Sequence, residues 1–293
     1  MTDYTFRILK KEEQSLILPL WDCCFPDFWE QLAVNQEAIP YEEISFAAFD
    51  GSRPIGHCGV IPYEIWCGSR KFPMAGIASV ATDPEYRHRG IAKNLCIQTA
   101  RWAESRNFAS APLYTAHFRV YESAGWQKLD APAALTAPAG NGAIWKNGNT
   151  LSGDEKAMIA AIYRDSENFD GKVIRKSTGT LHSWERIFAE PDFSFAIQPG
   201  MYAIKLDNII IEINFIPGIT PDRQLEFFTS LGDGDSVDFH LPSTGNNRRL
   251  TGRLPCRKSI HDAMHGECPM ILELGIKDFH TVNNIFFPVA DKF

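Results

Sequence analysis

Arg87, His88, Arg89, Gly90, Ile91 and Ala92 stand between two apolar stretches, and their types and order suit the capture of an anion. Ahead of them Met74, Ala75, Gly76, Ile77 and Ala78 are small and apolar and predict a strand. Behind them Ile91, Leu95 and Trp102 recur at helical spacing, with Ala92, Cys96, Thr99 and Ala103 beside them, which predicts a helix over 91–103. The first turn of a helix carries N–H groups with no partner inside the helix, and the helix dipole favours negative charge there. Gly90 has no side chain to keep a pyrophosphate from its backbone, Ala92 is small, and Arg87 and Arg89 add positive charge. Taken alone, such a turn is equally an ordinary strand–helix junction with solvated arginines.

The run Pro84-Glu85-Tyr86-Arg87-His88-Arg89-Gly90-Ile91-Ala92 resembles the acetyl-CoA signature of the Gcn5-related N-acetyltransferases. That signature is Arg or Gln, two variable residues, Gly, one variable residue, then Gly or Ala. The strand residues Val80-Ala81-Thr82 and Pro84 match what the family places upstream. Further on, Tyr121-Glu122-Ser123-Ala124-Gly125-Trp126 resembles its Tyr-x-x-x-Gly-aromatic segment, in which the tyrosine faces the thiol end of the cofactor. A dinucleotide-binding Rossmann unit is a poor alternative, because no Gly-x-Gly-x-x-Gly occurs.

The resemblance covers roughly the first half and implies an α+β acyl-CoA N-acyltransferase fold, a mixed and mostly antiparallel sheet flanked by helices. It implies acetyl-CoA as co-substrate, held by Arg87, His88, Arg89, Gly90, Ile91, Ala92 and Lys93 at the pyrophosphate and by the backbone of Val80, Ala81 and Thr82 near the thioester. A second α+β domain would follow, giving 1–140 and 150–293. Lys172-Val173-Ile174-Arg175 with Trp184 is similar to the inter-domain region of the enhanced intracellular survival family, acetyltransferases of aminoglycosides and other amines. Their second domain is a degenerate acetyltransferase fold without its own cofactor. This chain is too short for that family's third domain.

Acyl transfer from a thioester to an amine requires deprotonation of the amine, polarisation of the carbonyl, close reactants and neutralisation of the departing thiolate. Tyr121 is the candidate general acid; packing in a Tyr-x-x-x-Gly turn is the structural alternative. For the base there are three candidates. Glu64 lies on a neighbouring strand, His117 just precedes the Tyr121 segment, and Phe293 carries a terminal carboxylate that the survival family brings into its active site. No cysteine stands at the signature as a nucleophile, although Cys96 lies one turn into the helix, so transfer would be direct. The acceptor class implied is a small-molecule primary amine, aminoglycoside-like or polyamine-like. The alternatives are a non-catalytic acyl-CoA sensor and an enzyme using a longer acyl donor.

The elements that must position these residues follow in order. Residues 5–9 predict a strand and residues 11–21 a helix. Trp21, Phe25, Phe28 and Trp29 read either as packing between helices or as rings lining the acceptor pocket. Residues 44–60 predict a hairpin turning at Asp50-Gly51, and residues 61–74 continue a meander into the strand at 74–82. A parallel strand follows at 111–116, and another strand starts at Trp126. Residues 131–149, rich in Ala, Pro, Gly and Asn, read as a connection. Beyond them helices are predicted over 154–169, 180–189 and 221–231, and strands over 193–198, 201–206, 208–215, 236–241, 248–254 and 270–274. Residues 285–289 read as a docking tail or a closing strand.

The 293 residues carry a net charge of −7, which argues against non-specific nucleic-acid binding. No apolar run spans a membrane and no signal pattern opens the chain, so scattered, reduced cysteines and a cytoplasmic location are expected. A homo-oligomer is compatible with the sequence. Cys256, His261, His265 and Cys268 form a cluster whose spacing matches no standard zinc finger, so no metal is assigned, and Cys23-Cys24 read as core packing.

Overall fold

Alternating β-forming runs, broken by glycine turns, fold the first half into a meander. The computed structural model describes residues 4–25, 44–129, 133–179, 182–262, 264, 266–276, 279 and 285–286. Strands β1 (Thr5–Ile8), β2 (Ile44–Asp50), β3 (Arg53–Cys67) and β4 (Arg70–Thr82) pair antiparallel in that order. The predicted helix near residue 11 begins as a 3-10 segment, Lys11–Ile17, and becomes α1 only at Leu18–Cys24. Pro19 stands in the first turn of α1, where a missing N–H costs nothing.

After β4 the chain makes a right turn of chemistry rather than of strand. The loop carrying Arg87–Gly90 opens into α2 (Ile91–Ser105), which returns to β5 (Ser110–Thr115), parallel to β4. Ile91, Leu95, Cys96, Thr99, Ala100 and Ala103 form the buried stripe of α2. Gly56 on β3 lets that stripe lie close, since a Cβ there would stand 2.6 Å from Ile91 Cγ2. A short helix α3 (Phe118–Glu122) and the strand β6 (Gln127–Lys128) complete this part.

The second half builds another seven-stranded sheet from β7 (Leu135–Pro138), β8 (Lys146–Asn147), β9 (Phe193–Gln198), β10 (Met201–Leu206), β11 (Ile209–Phe215), β12 (Ser236–Phe239) and β13 (Arg257–Lys258), in the order β13-β7-β12-β11-β10-β9-β8. Helices α4 (Gly153–Asp165), α5 (Trp184–Ala189), α6 (Pro221–Ser230) and α7 (Gly245–Thr251) accompany it. The two mostly antiparallel sheets with their helices make the α+β class expected from the sequence.

Three expectations are corrected. Residues 131–149 are not a mere connection, because they contain β7 and β8, which acquire strand geometry from partners at 236–239 and 194–195. The strand expected over 248–254 is the helix α7, whose start is closed by the Thr244 hydroxyl on the Asn247 N–H (3.0 Å) and by the Glu167 carboxylate on the N–H groups of Gly245 and Asn246 (3.1 Å each). The strand near 270 is real, as β14 (Cys268–Glu273), but it leaves the second sheet and inserts between β5 and β6 in the first. The pieces 1–140 and 150–293 therefore do not coincide with the two sheets. Of residues 285–289 only Ile285 and Phe286 are described; the Phe286 N–H donates to the Asp170 carbonyl (3.0 Å).

The halves join where β3 outruns β2. The N–H groups of Trp66 and Ile174 donate to the carbonyls of Lys172 and Glu64 (2.8 Å each), and Gly171 donates to Trp66 (2.8 Å). The segment first singled out at 172–175 is thus a splint along the bare edge of β3. Met270, fully buried among Leu113, Trp126 and the α2 stripe, ties the end of the chain to the first core. Met270→Ala is expected to cost about 2–4 kcal/mol, measured by denaturant unfolding, with amide exchange rising in β5 and β6 despite the sequence distance.

Candidate functional site

β4 and β5 are held by different neighbours and part from each other. β4 is paired with β3 along its length, and β5 with β14 from Ser110↔Glu273 to Thr115↔Cys268. Between them the register contains Met74↔Ser110 alone. Beyond that pair the β5-side edge of β4, from Ala75 to Thr82, has no strand partner among the described residues, and a V opens toward Thr82 and Thr115. Val80, Ala81 and Thr82 line that edge. Ala81 turns its methyl to the α1 side, and the Thr82 carbonyl accepts from Arg87 Nε (3.3 Å) and Cys24 Sγ (3.5 Å).

The mouth of the V faces the start of α2. Gly90, the N-cap, has φ +76°, and no side chain caps the helix. A Cβ at Gly90 would meet nothing within 4 Å, so the requirement is conformational and the approach is open. His88 also has positive φ (+63°), which coils the loop around its own N–H groups. Arg89 donates to the Tyr4 hydroxyl and the Glu85 carbonyl (3.0 Å each) over the Tyr86 ring, so its charge is fixed beside the loop. Ile91 is buried against β3 and can offer a ligand only its backbone; Ala92 is half-buried and Lys93 exposed. Uncapped N–H groups, coiled backbone and fixed arginines together suit a pyrophosphate.

Strand β4 is kinked at the height of the V. His57 pairs with Ala81 and Gly59 with Ala78, so Ser79 and Val80 together oppose Cys58. Ser79 has φ +51°, a left-handed conformation that costs a residue other than glycine about 1–2 kcal/mol. Sequence reading missed this bulge, since Ser-Val-Ala is unremarkable strand material.

Tyr121 reaches the same place from α3. Gly125 and Trp126 close the turn behind it, and Trp126 is anchored by its indole N–H on the Ala111 carbonyl (2.6 Å). Burial pushes the Tyr121 phenol well above its ordinary range, with the Cys96 and Cys58 thiols and the Glu267 carboxylate adding to the push and the Thr115 hydroxyl opposing it. The phenol is therefore protonated at working pH, as a donor to a departing thiolate must be. Cys96 is held well above the usual thiol range by its hydrogen bond with Cys58 and by burial, which makes it a poor nucleophile. Thr115 and Glu267 had no signal in the sequence; only the β5–β14 pairing brings them to Tyr121.

The base candidates fare differently. Glu64 pairs with Pro73, before the V opens. Its carboxylate is exposed, six residues along β3 from Cys58, which faces the bulge. His117 is exposed at the start of α3, its N–H on the Thr115 hydroxyl (2.9 Å). Phe293 lies outside the described residues, as do Phe28, Trp29 and His265. Trp21 and Phe25 pack in the core between α1 and the sheet. Cys23 and Cys24 lie 3.8 Å apart, Cys23 exposed and Cys24 half-buried, so only the second is core packing. Among the described residues no three His, Cys, Asp or Glu side chains gather as a metal site. Cys256 packs under the second sheet while Cys268 begins β14, and His261 is paired with Asp238 (2.6 Å).

The second sheet repeats the plan. β11 and β12 are parallel, joined by α6, and pair only at Ile209↔Asp238 and Ile210↔Phe239. Here the helix start is capped by the Thr220 hydroxyl on the Arg223 N–H (3.4 Å), with Pro221 and the acidic Asp222 in the first turn. Beside it, over β10 and β11, lies a buried polar network. Glu212 takes a bidentate Arg175 (2.9 and 2.6 Å) and the Tyr202 hydroxyl, Asn214 donates to Tyr202 (3.0 Å), and Ser166 donates to Asn214 (2.9 Å).

Residues 5–129 match the profile of the acetyltransferase (GNAT) domain. No curated protein matches the chain. Among solved structures it is similar to a Gcn5-related N-acetyltransferase from Kribbella flavida (14% identity, 93% of this chain and 72% of that one, TM-score 0.62). It is similar to another from Anabaena variabilis (15%, 93% and 73%, 0.64) and to an Eis protein from Mycobacterium abscessus (14%, 93% and 74%, 0.60). At such identities the likeness speaks to fold. Among the described residues no helix is long and apolar enough to cross a membrane.

His57, fully buried beside the bulge, supplies a pH test. Burial lowers its pKa to about 4, so on acidification the unfolded chain takes up the proton first and stability is lost as pH falls below the ordinary histidine range. From pH 7 to pH 5 this group is expected to cost about 2 kcal/mol, and denaturant unfolding of His57→Phe should lack that increment. Uncapped α2, the V beside it and the matching profile together place residues 5–129 among the acetyltransferase domains of the GNAT family.

Proposed function

We propose that this protein is an acetyl-CoA-dependent N-acetyltransferase that acetylates a primary amine of a small molecule by direct transfer. The observation that carries this is the uncapped start of α2 behind Gly90, facing the V between β4 and β5. The diphosphate sits on the α2 amides with Arg87 and Arg89 beside it, and the pantetheine arm lies along the free edge of β4. The amine nitrogen attacks the thioester carbonyl, whose oxygen is met by backbone N–H near Val80. As the C–N bond forms and the C–S bond breaks, Tyr121 gives its proton to the sulfur, the nitrogen gives one of its own to water, and the phenolate regains a proton from solvent. GNAT domains transfer acyl groups from acyl-CoA to amines in general; the acetyl donor and the acceptor are specific to this proposal.

The acceptor enters through a cavity of about 330 Å³ lined by Ala134, His240, Lys258, His261, Asp262 and Glu267. Glu267 bounds it, and the phenol of Tyr121 senses that carboxylate. The two acids outweigh Lys258 and favour an ammonium ion, in keeping with an aminoglycoside-like or polyamine-like substrate.

Calorimetry should give one acetyl-CoA per chain. Gly90→Val, which bars φ +76° and puts a branched side chain in the anion's path, should weaken binding tenfold or more, on the order of 1.4 kcal/mol. Incubation with acetyl-CoA and an amine panel should release free thiol. Tyr121→Phe should lower kcat by about a hundredfold while leaving acetyl-CoA affinity nearly unchanged. Absence of acetyl-CoA binding would sink the proposal, and binding with no thiol release for any amine would favour a non-catalytic acyl-CoA sensor.

A further inference from the structure

The β4 bulge needs something to hold it. Ser79 sits at φ +51°, where side chains other than glycine seldom rest, on a strand that β5 has already left. On the α1 side of the sheet, Ala47, His57 and Ala81 lie in one row across β2, β3 and β4. The two alanines leave room for an imidazole between them. That imidazole is fully buried, and its Nδ1 is 2.8 Å from the Ser79 carbonyl oxygen. The Trp21 indole of α1 stands edge-on to the ring at 5.1 Å between centroids, its Nε1 3.1 Å from the same nitrogen.

One ring nitrogen cannot donate to Ser79 and accept from Trp21 in the same tautomer. With the proton on Nδ1, the ring donates to the carbonyl and leaves Nε2 as a bare lone pair. With the proton on Nε2, the lone pair of Nδ1 accepts from Trp21 but faces the carbonyl oxygen at 2.8 Å, and an N–H is buried without an acceptor, because Nε2 has no hydrogen-bond partner among the described residues. The Nδ1–H tautomer gives up the Trp21 N–H as a donor to this nitrogen, but it keeps the shorter contact, 2.8 Å to the Ser79 carbonyl against 3.1 Å to Trp21, and buries no N–H of the imidazole without an acceptor, so we take it as the tautomer of His57.

We infer that His57 is a positioning residue for acyl transfer, its Nδ1–H holding the Ser79 carbonyl and so fixing the bulge that frees a β4 backbone amide for the thioester. The inference rests on the acetyltransferase reading above. An oxyanion donor works by being aimed before the charge develops, so a small rotation of this peptide lowers turnover without weakening the grip on the distant diphosphate.

The test compares His57→Phe, which fills the space without a donor, with His57→Asn, whose amide N–H stands near the place of Nδ1–H. His57→Leu serves the same comparison should the phenylalanine not be accommodated. Wild-type turnover tests the acetyltransferase reading alone; the ratio of variant to wild type tests the inference. Expected for His57→Phe is a kcat about ten- to a hundredfold lower, with KM and calorimetric acetyl-CoA affinity within about threefold of wild type. Recovery of most of the loss is expected in His57→Asn. A readout free of activity is ¹⁵N NMR of the wild-type imidazole, expected to show Nδ1 protonated and Nε2 bare. Unchanged turnover in His57→Phe overturns the inference. So does a joint fall of turnover, cofactor affinity and melting temperature that His57→Asn does not relieve, or a spectrum with the proton on Nε2.

Discussion

Two parallel strands that are not allowed to stay together set the terms for everything else in this protein. β4 is committed to β3 along its whole length and β5 to β14, so the pair β4–β5 keeps one register contact, Met74↔Ser110, and diverges. The divergence leaves backbone N–H and C=O groups without strand partners on β4, an arrangement that proteins normally cover. A ligand with an extended, amide-bearing arm answers that need. The helix joining the two strands necessarily begins at the mouth of the gap, which puts its unsatisfied N–H groups where the arm's anionic end would lie.

The second half makes the same βαβ unit and draws the opposite consequence. Thr220 and Pro221 close the start of α6, and Glu212, Arg175, Tyr202, Asn214 and Ser166 bond to one another over β10 and β11. Lys172 adds its ammonium to the carbonyls of Tyr163 and Ser166, and burial lowers its pKa to about 8. The network is satisfied internally, as a buried polar cluster must be if it is not to destabilise the fold. The same βαβ plan therefore begins its helix uncapped behind Gly90 and capped behind Thr220.

The parts are also physically interdependent. β14 comes from the end of the chain yet holds β5 away from β4, and the stretch just before it carries Glu267 to the neighbourhood of Tyr121. The splint at 171–174 covers the exposed edge of β3. The second half thus shapes the site without contributing a cofactor loop.

Local signals determined the meander of β1 to β4, the stripe of α2, the loop from Arg87 to Gly90 and the Tyr121 turn. Each is written in neighbouring residues: alternation, helical spacing, and glycine where φ must be positive. What the sequence could not express was partnership. β7 is Leu-Thr-Ala-Pro, a strand because Ser236–Phe239 and Arg257–Lys258 flank it; α7 is a helix because Glu167 and Thr244 cap it; β14 looked like any apolar strand and gave no hint of which sheet would take it. The place of Glu64 beside Pro73, the bulge at Ser79 and the bond from His57 were likewise decided by register, and register is a property of pairs of strands that no single stretch of chain contains.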